Sequence, residues 1–256
     1  QYVATVVRPA QGDSEGTAKD VQLPERAHYR WQDFDRGLPR SGQWRDSFAL
    51  ADVNGDGHVD LVFGSARKSF SGPAIFLGDG KGSWTRWAAA RFPALPYDYG
   101  GAAAADFDGD GKQDVAFAIH LRGVVALRQT LSTGVFDALG VGLPLARGNE
   151  PSVMSSRRVL AFDWRGNSRA ALVAVNERLA TDVASRIVDG IVVYELVEGG
   201  WQRVADDVRL QRGSQVATTS SGSHLVVSES IPTGGELRLS IRADGRWTDH
   251  RVSGLP

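Results

Sequence analysis

The chain has 256 residues, and 29 Lys plus Arg almost cancel 30 Asp plus Glu, so the net charge of −1 leaves no basic footprint for nucleic acid or an anionic membrane. The absence of cysteine excludes disulfides, thiolate zinc sites and cysteine nucleophiles together. Thirty glycines and a 42% apolar fraction describe a turn-rich globular chain, for which all-β is the first expectation, and no apolar run approaches the roughly 18 residues of a membrane span.

Residues 1–39 offer a strand at Tyr2–Val7, a polar stretch GDSEGTAKD (12–20) and a closing strand around Tyr29–Phe34, with no loop-bearing hairpin. The chain opens on Gln1 and carries no charged and apolar leader, so it is expected to be processed or excised from a longer precursor. Three strings of one design follow: FALADVNGDGHVDLVFGS (48–65), AAAADFDGDGKQDVAFAIH (102–120) and VLAFDWRGNSRAALVAVNE (159–177). Each is an apolar strand, an Asp-headed polar loop and a second apolar strand, and the heading residues Asp52, Asp106 and Asp163 stand 54 and 57 residues apart.

Two further markers keep the same register. An aromatic follows a glycine-rich turn at Trp84, Phe136, Trp201 and Trp247, with Trp31 matching by spacing, and each unit ends on Leu or Leu-Pro (Leu38, Leu95, Leu143, Leu210, Leu255). The units are therefore 1–39, which is divergent or truncated, then 40–96, 97–144, 145–210 and 211–256, all within one domain. In the second unit the strands are expected at Phe48–Ala51, Val59–Phe63, Ala74–Leu77 and Trp84–Ala90. Four strands per repeat of this length predict a β-propeller of four-stranded blades with about five repeats, closed or incomplete.

The first loop, Asp52-Val53-Asn54-Gly55-Asp56-Gly57-His58-Val59-Asp60, places side-chain oxygens at positions 1, 3, 5 and 9. The second repeats it with four carboxylates, Asp106, Asp108, Asp110 and Asp114. Position 7, His58 or Lys112, is available through its backbone carbonyl. Calcium takes six to eight hard oxygens in a flexible shell, and glycine at position 6 lets the chain turn around it. Two Ca²⁺ sites are predicted on these ten residues. They are not helix-loop-helix calcium hands, because position 12 is Phe63 or Phe117 and both flanks read as strands. The third loop has lost its carboxylates at positions 3, 5 and 9, an Arg is expected where an ion would stand, and Asp163 reads as a turn residue. The fourth unit keeps only Ser220-Ser221-Gly222-Ser223, so no metal is expected in either.

On these two Asp loops the sequence resembles the FG-GAP/VCBS repeat family, the blades of integrin α-subunit heads and of many bacterial secreted proteins. The resemblance spans about residues 40–256, is strongest in the two loops, and implies calcium between the first two strands of a blade with partners often bound on the opposite face. Strand order puts the loops after second strands and the blade connections at that opposite end, where Arg67, Tyr97, Tyr99 and Arg122 form the candidate ligand-binding set.

No HExxH and no G-x-S-x-G elbow is present, and Glu150, Glu177, Asp182 and Asp189 read as solvated loop acids. The expected function is that of an extracytoplasmic recognition or adhesion module, secreted, periplasmic or cell-surface, with structural calcium and an extracellular protein or carbohydrate partner. It carries no nucleic acid and no membrane insertion, and further blades or modules of a longer chain are envisaged. The alternative is a polysaccharide lyase or hydrolase acting in the central cleft.

Overall fold

Alternation within single strands decides how this chain packs. In β6 (Asp114–Ile119) the bulky Val115, Phe117 and Ile119 face one way into a cluster with Val62, Ile75, Leu127 and Phe136, while Ala116 and Ala118 face the other way into a cluster with Leu172, Ala174 and Trp201. In β10 (Ala171–Asn176), Leu172 and Ala174 join that second cluster, and Val173 and Val175 enter a third with Val193, Leu210, Val216 and Leu225. A strand buried on both faces must lie in a sheet sandwiched between two others.

The computed structural model describes residues 33–252 apart from 45, 69–71, 151, 178–189, 205–206, 220–221 and 232–235. The expected strands at Tyr2–Val7 and most of Tyr29–Phe34, the polar stretch 12–20, Trp31, Asp182, Asp189 and the Ser220-Ser221 pair lie outside the described residues. Four antiparallel meanders are described, each in simple chain order. The first comprises β1 (Ala49–Ala51), β2 (Asp60–Phe63), β3 (Ala74–Gly78) and β4 (Trp84–Arg86); the second comprises β5 (Ala102–Ala105), β6, β7 (Gly123–Gln129) and β8 (Phe136–Ala138). The third comprises β9 (Ser156–Phe162), β10, β11 (Gly190–Val197) and β12 (Gly200–Arg203), and the fourth β13 (Gln215–Thr218), β14 (His224–Ile231), β15 (Glu236–Ala243) and β16 (Arg246–Val252).

Each sheet packs on the next through its first strand: β5 meets β1 on one side and β9 on the other, and β9 meets β13. The architecture is a β-propeller of four-stranded blades, and among the described residues its ring is not closed. No described helix is long and apolar enough to cross a membrane.

The segment between blades fastens them at the rim. Arg36, Arg91 and Val141 each form a parallel bridge with the outer-strand region of the following blade, at Ser83, Val135 and Gly200. Trp84, Phe136 and Trp201 donate their backbone N–H to the carbonyls of Arg36 (2.8 Å), Arg91 (2.9 Å) and Val141 (2.6 Å). The indole N–H of Trp201 adds a bond to Leu139 O at 2.6 Å. This contact explains the Gly in the VGLP motif: Gly142 sits at φ +104°, and a Cβ there would stand 2.3 Å from the Trp201 carbonyl.

Two local features depart from expectation. The fourth strand of the first blade stops at Arg86 and does not run to Ala90, because the chain turns with Ala90 N–H donating to Trp87 O. A short helix, α1 (Val208–Arg212), precedes the last blade, with Asp207 as its N-cap accepting from Arg209 N–H and Leu210 buried in the third cluster.

Candidate metal centre

The loops between first and second strands are built from their own side chains. Asp52 accepts three backbone N–H groups, Gly55 (2.8 Å) and Asp56 (3.0 Å) on Oδ1 and Gly57 (2.8 Å) on Oδ2. Asn54 Oδ1 accepts from Asp56 N–H, and Asp56 Oδ1 from His58 N–H. The second loop repeats the scheme: Asp106 accepts from Gly109, Asp110 and Gly111, Asp108 from Asp110, and Asp110 from Lys112. These bonds curl the chain so that its side-chain oxygens face inward.

Position 9 is different. Asp60 and Asp114 are fully buried. Asp60 Oδ2 accepts from Val53 N–H (2.9 Å) and its Oδ1 from Gly78 N–H on β3 (3.0 Å). Asp114 Oδ2 accepts from Phe107 N–H (3.0 Å) and its Oδ1 from Gln129 N–H on β7 (2.9 Å). Burial pushes the Asp114 carboxyl up to about 6, against the pull of those hydrogen bonds and with the charges of Asp108 and Asp110 adding to the rise. Burial raises Asp60 in the same direction.

Asp106, Asp108 and Asp114 each offer a carboxylate oxygen, and these oxygens lie within 4.8 Å of one another. Three hard anionic donors converging in a sharply turned loop fit an oxygen-seeking divalent cation such as calcium. Asp110 lies beside them, its Oδ2 3.5 Å from Lys112 Nζ. In the first loop Asn54 replaces one carboxylate, and its amide donates to Asp56 Oδ2 at 2.8 Å. The His58 imidazole packs beside Gly80 in the β3–β4 turn.

The third loop keeps the scaffold without the charge. Asp163 accepts from Gly166, Asn167 and Ser168, but Ala171 stands at position 9. Of the two Arg residues in this loop, Arg165 forms a two-pronged pair with Glu195 on β11, with bonds of 2.7–2.9 Å. Arg169 reaches instead toward the second loop, 3.8 Å from where a Cβ on Gly109 would stand.

At the opposite end the predicted ligand-binding residues divide. Arg67 lies over the Tyr99 ring at 5.5 Å, and Tyr99 packs on the His120 imidazole with centroids 4.4 Å apart. His120 Nδ1 meets Glu177 Oε2 at 3.4 Å and Ser155 Oγ at 3.3 Å, and Glu177 Oε1 also pairs with Arg157. Glu177 is therefore a paired acid and not the solvated one expected. Arg122 is tied to the Gly148 carbonyl at 2.7 Å. Tyr97 turns inward, edge-on to Phe117, with its hydroxyl buried without a partner among the described residues, and burial raises its pKa.

Two cavities complete the geometry. One of about 1010 Å³ follows the first strands of all four blades and reaches Asp106 and Asp163. The other, of about 580 Å³, lies between the first two Asp loops with Gln129 in its wall. Sequence reasoning passed over Gln129. The signal was present in the repeat itself, since Gln129 occupies the position where the first blade has Gly78.

The fold and loops together define an Asp-loop propeller. Residues 52–117, which hold both acid-rich loops, match the FG-GAP-like repeat. No curated protein matches it in sequence. An assigned exo-β-1,3-galactanase from Bifidobacterium bifidum s17 is similar in structure at 10% identity, over 84% of this chain and 73% of that one, with a TM-score of 0.50. A GH43 β-1,3-galactosidase bound to galactodeoxynojirimycin aligns at 9% identity over 84% and 78% of the two chains, with a TM-score of 0.49. The Dos1 propeller aligns at 14% identity over 82% and 52%, with a TM-score of 0.45.

Proposed function

We propose that this chain is a calcium-stabilised propeller module for recognition of an extracellular protein or glycan, acting outside the cytoplasm. The observation that carries the calcium reading is the convergence of Asp106, Asp108 and Asp114. Asp52, Asn54, Asp56 and Asp60 serve the first site and Asp106, Asp108, Asp110 and Asp114 the second, each completed by a position-7 carbonyl from His58 or Lys112. Millimolar calcium outside the cell fills loops of this type, whereas cytosolic calcium leaves weak ones empty. Recognition is assigned to the end opposite the Asp loops, around Arg67 and Tyr99, where a cation and an aromatic ring are stacked in place.

The alternative, an enzyme acting on polysaccharide in the axial cavity, draws on the cavity's size and on the galactanase likeness. Against it, the described carboxylates lining that cavity are Asp106 and Asp163, and each already accepts three backbone N–H groups.

Calorimetric titration of chelator-stripped protein with calcium tests the reading. Two ions are expected per chain, and one after Asp106→Ala with Asp110→Ala. A stoichiometry that stays at two in that variant refutes the site assignment. Glycan-array binding without turnover supports recognition, and depolymerisation of a bound glycan supports the enzyme.

A further inference from the structure

Gln129 ends β7 with 3% of its surface exposed, and every polar atom of its side chain is used. Its amide donates to the Val53 carbonyl in the first loop (3.0 Å) and to the Gln113 carbonyl in the second (3.2 Å). Gly134 N–H donates to Oε1 at 2.8 Å, which settles which end of the amide faces the two carbonyls. The network continues at both ends. Gln129 N–H donates to Asp114 Oδ1, and Val53 N–H donates to Asp60 Oδ2. The ninth residues of the two loops are thus joined through the backbone of Val53 and one buried side chain. The first blade has no such link of its own, because Gly78 fills the matching position and a Cβ there would stand 2.2 Å from the Val59 carbonyl.

We infer that Gln129 couples the two loops, so that an ion in the second raises the affinity of the first. The inference rests on the calcium reading above. A buried amide satisfies both carbonyls only while Val53 and Gln113 keep their relative positions, and leaving either unsatisfied is costly. Fixing Asp114 fixes the Gln129 backbone, and with it the Val53 peptide at the entry to the first loop. Less ordering remains for the first ion, which is positive cooperativity carried by loop order. Linkage makes the effect reciprocal.

The test is a thermodynamic cycle read by calorimetry with calcium alone. The first loop is measured by itself in Asp106→Ala with Asp108→Ala, and the second by itself in Asp52→Ala with Asp56→Ala. The product of these two single-loop affinities is expected to fall at least about fivefold below the product of the two wild-type affinities. Repeating the cycle in Gln129→Met should bring the two products together while both ions still bind. Gln129→Asn, which keeps a buried amide but withdraws it by one methylene, gives the same reading should the Met variant not fold. Products equal within twofold in the wild type overturn the coupling and leave the calcium reading standing. Coupling of undiminished size in the Gln129 variants overturns the role of that residue. Absence of any ion in the wild-type protein overturns this inference and the calcium reading together.

Discussion

Asp60 and Asp114 act on two structures at once. Each caps its own loop through the N–H of position 2 and reaches across to the third strand of its blade, at Gly78 or Gln129. An Asn at position 114 can accept only one of these N–H groups, and its NH₂ would then face the other donor. Asp114→Asn is therefore expected to cost about 1–3 kcal/mol of stability, seen in urea unfolding with chelator present as well as with calcium. A loss seen only with calcium would show that Asp114 serves the ion alone. The sequence made Asp114 legible as an oxygen donor through its spacing within nine residues. Its latch to Gln129 was not legible, because that partner comes from another strand and no local spacing announces it.

The three Asp-headed loops show what the charges contribute beyond the turn. The backbone hydrogen bonds to the heading Asp recur in the third loop, where Ser168 takes the left-handed conformation at φ +63° in the position held by Gly57 and Gly111 at +85°. The scaffold is thus a self-contained turn, and the acids at positions 3, 5 and 9 are additions to it. A Cβ on Gly111 meets nothing within 4 Å, so Gly111→Ala carries only the cost of the positive φ. That cost is about 1–2 kcal/mol, expected as a lower urea midpoint with an unchanged m-value; an unchanged midpoint would mean that the loop adopts another conformation. Loops, inner strands and the outer-strand aromatics were readable because apolar alternation and repeat spacing are local signals. Trp84, Phe136, Trp201 and Trp247 fall in β4, β8, β12 and β16. Helix α1 was missed because five residues around one buried Leu210 give no periodicity, and the pairing of Arg165 was not legible because Glu195 is supplied by a different strand.

For the molecule as a whole, calcium is expected to act as a stabiliser of neighbouring blades. Folding gathers carboxylates at two places, and an ion that binds only the folded chain stabilises it by about 2.7 kcal/mol per site at one hundred times Kd. For a chain of this size that corresponds to a Tm higher by roughly 5–10 °C per site, measured as melts with and without chelator at matched ionic strength. Superimposable curves would mean that both loops are ordinary turns.

The rim bridges give the array a stagger. Val141 follows the second blade in the chain, yet its carbonyl holds the outer strand of the third, just as Arg91 follows the first blade and holds the second. The sheet boundaries are therefore the wrong places to cut. A blade transplanted from β5 to β8 would leave Arg91 behind and lose the carbonyl that receives Phe136. The portable cassette begins one linker earlier, and each joint in such a chimera belongs just before the stretch that will grip its successor.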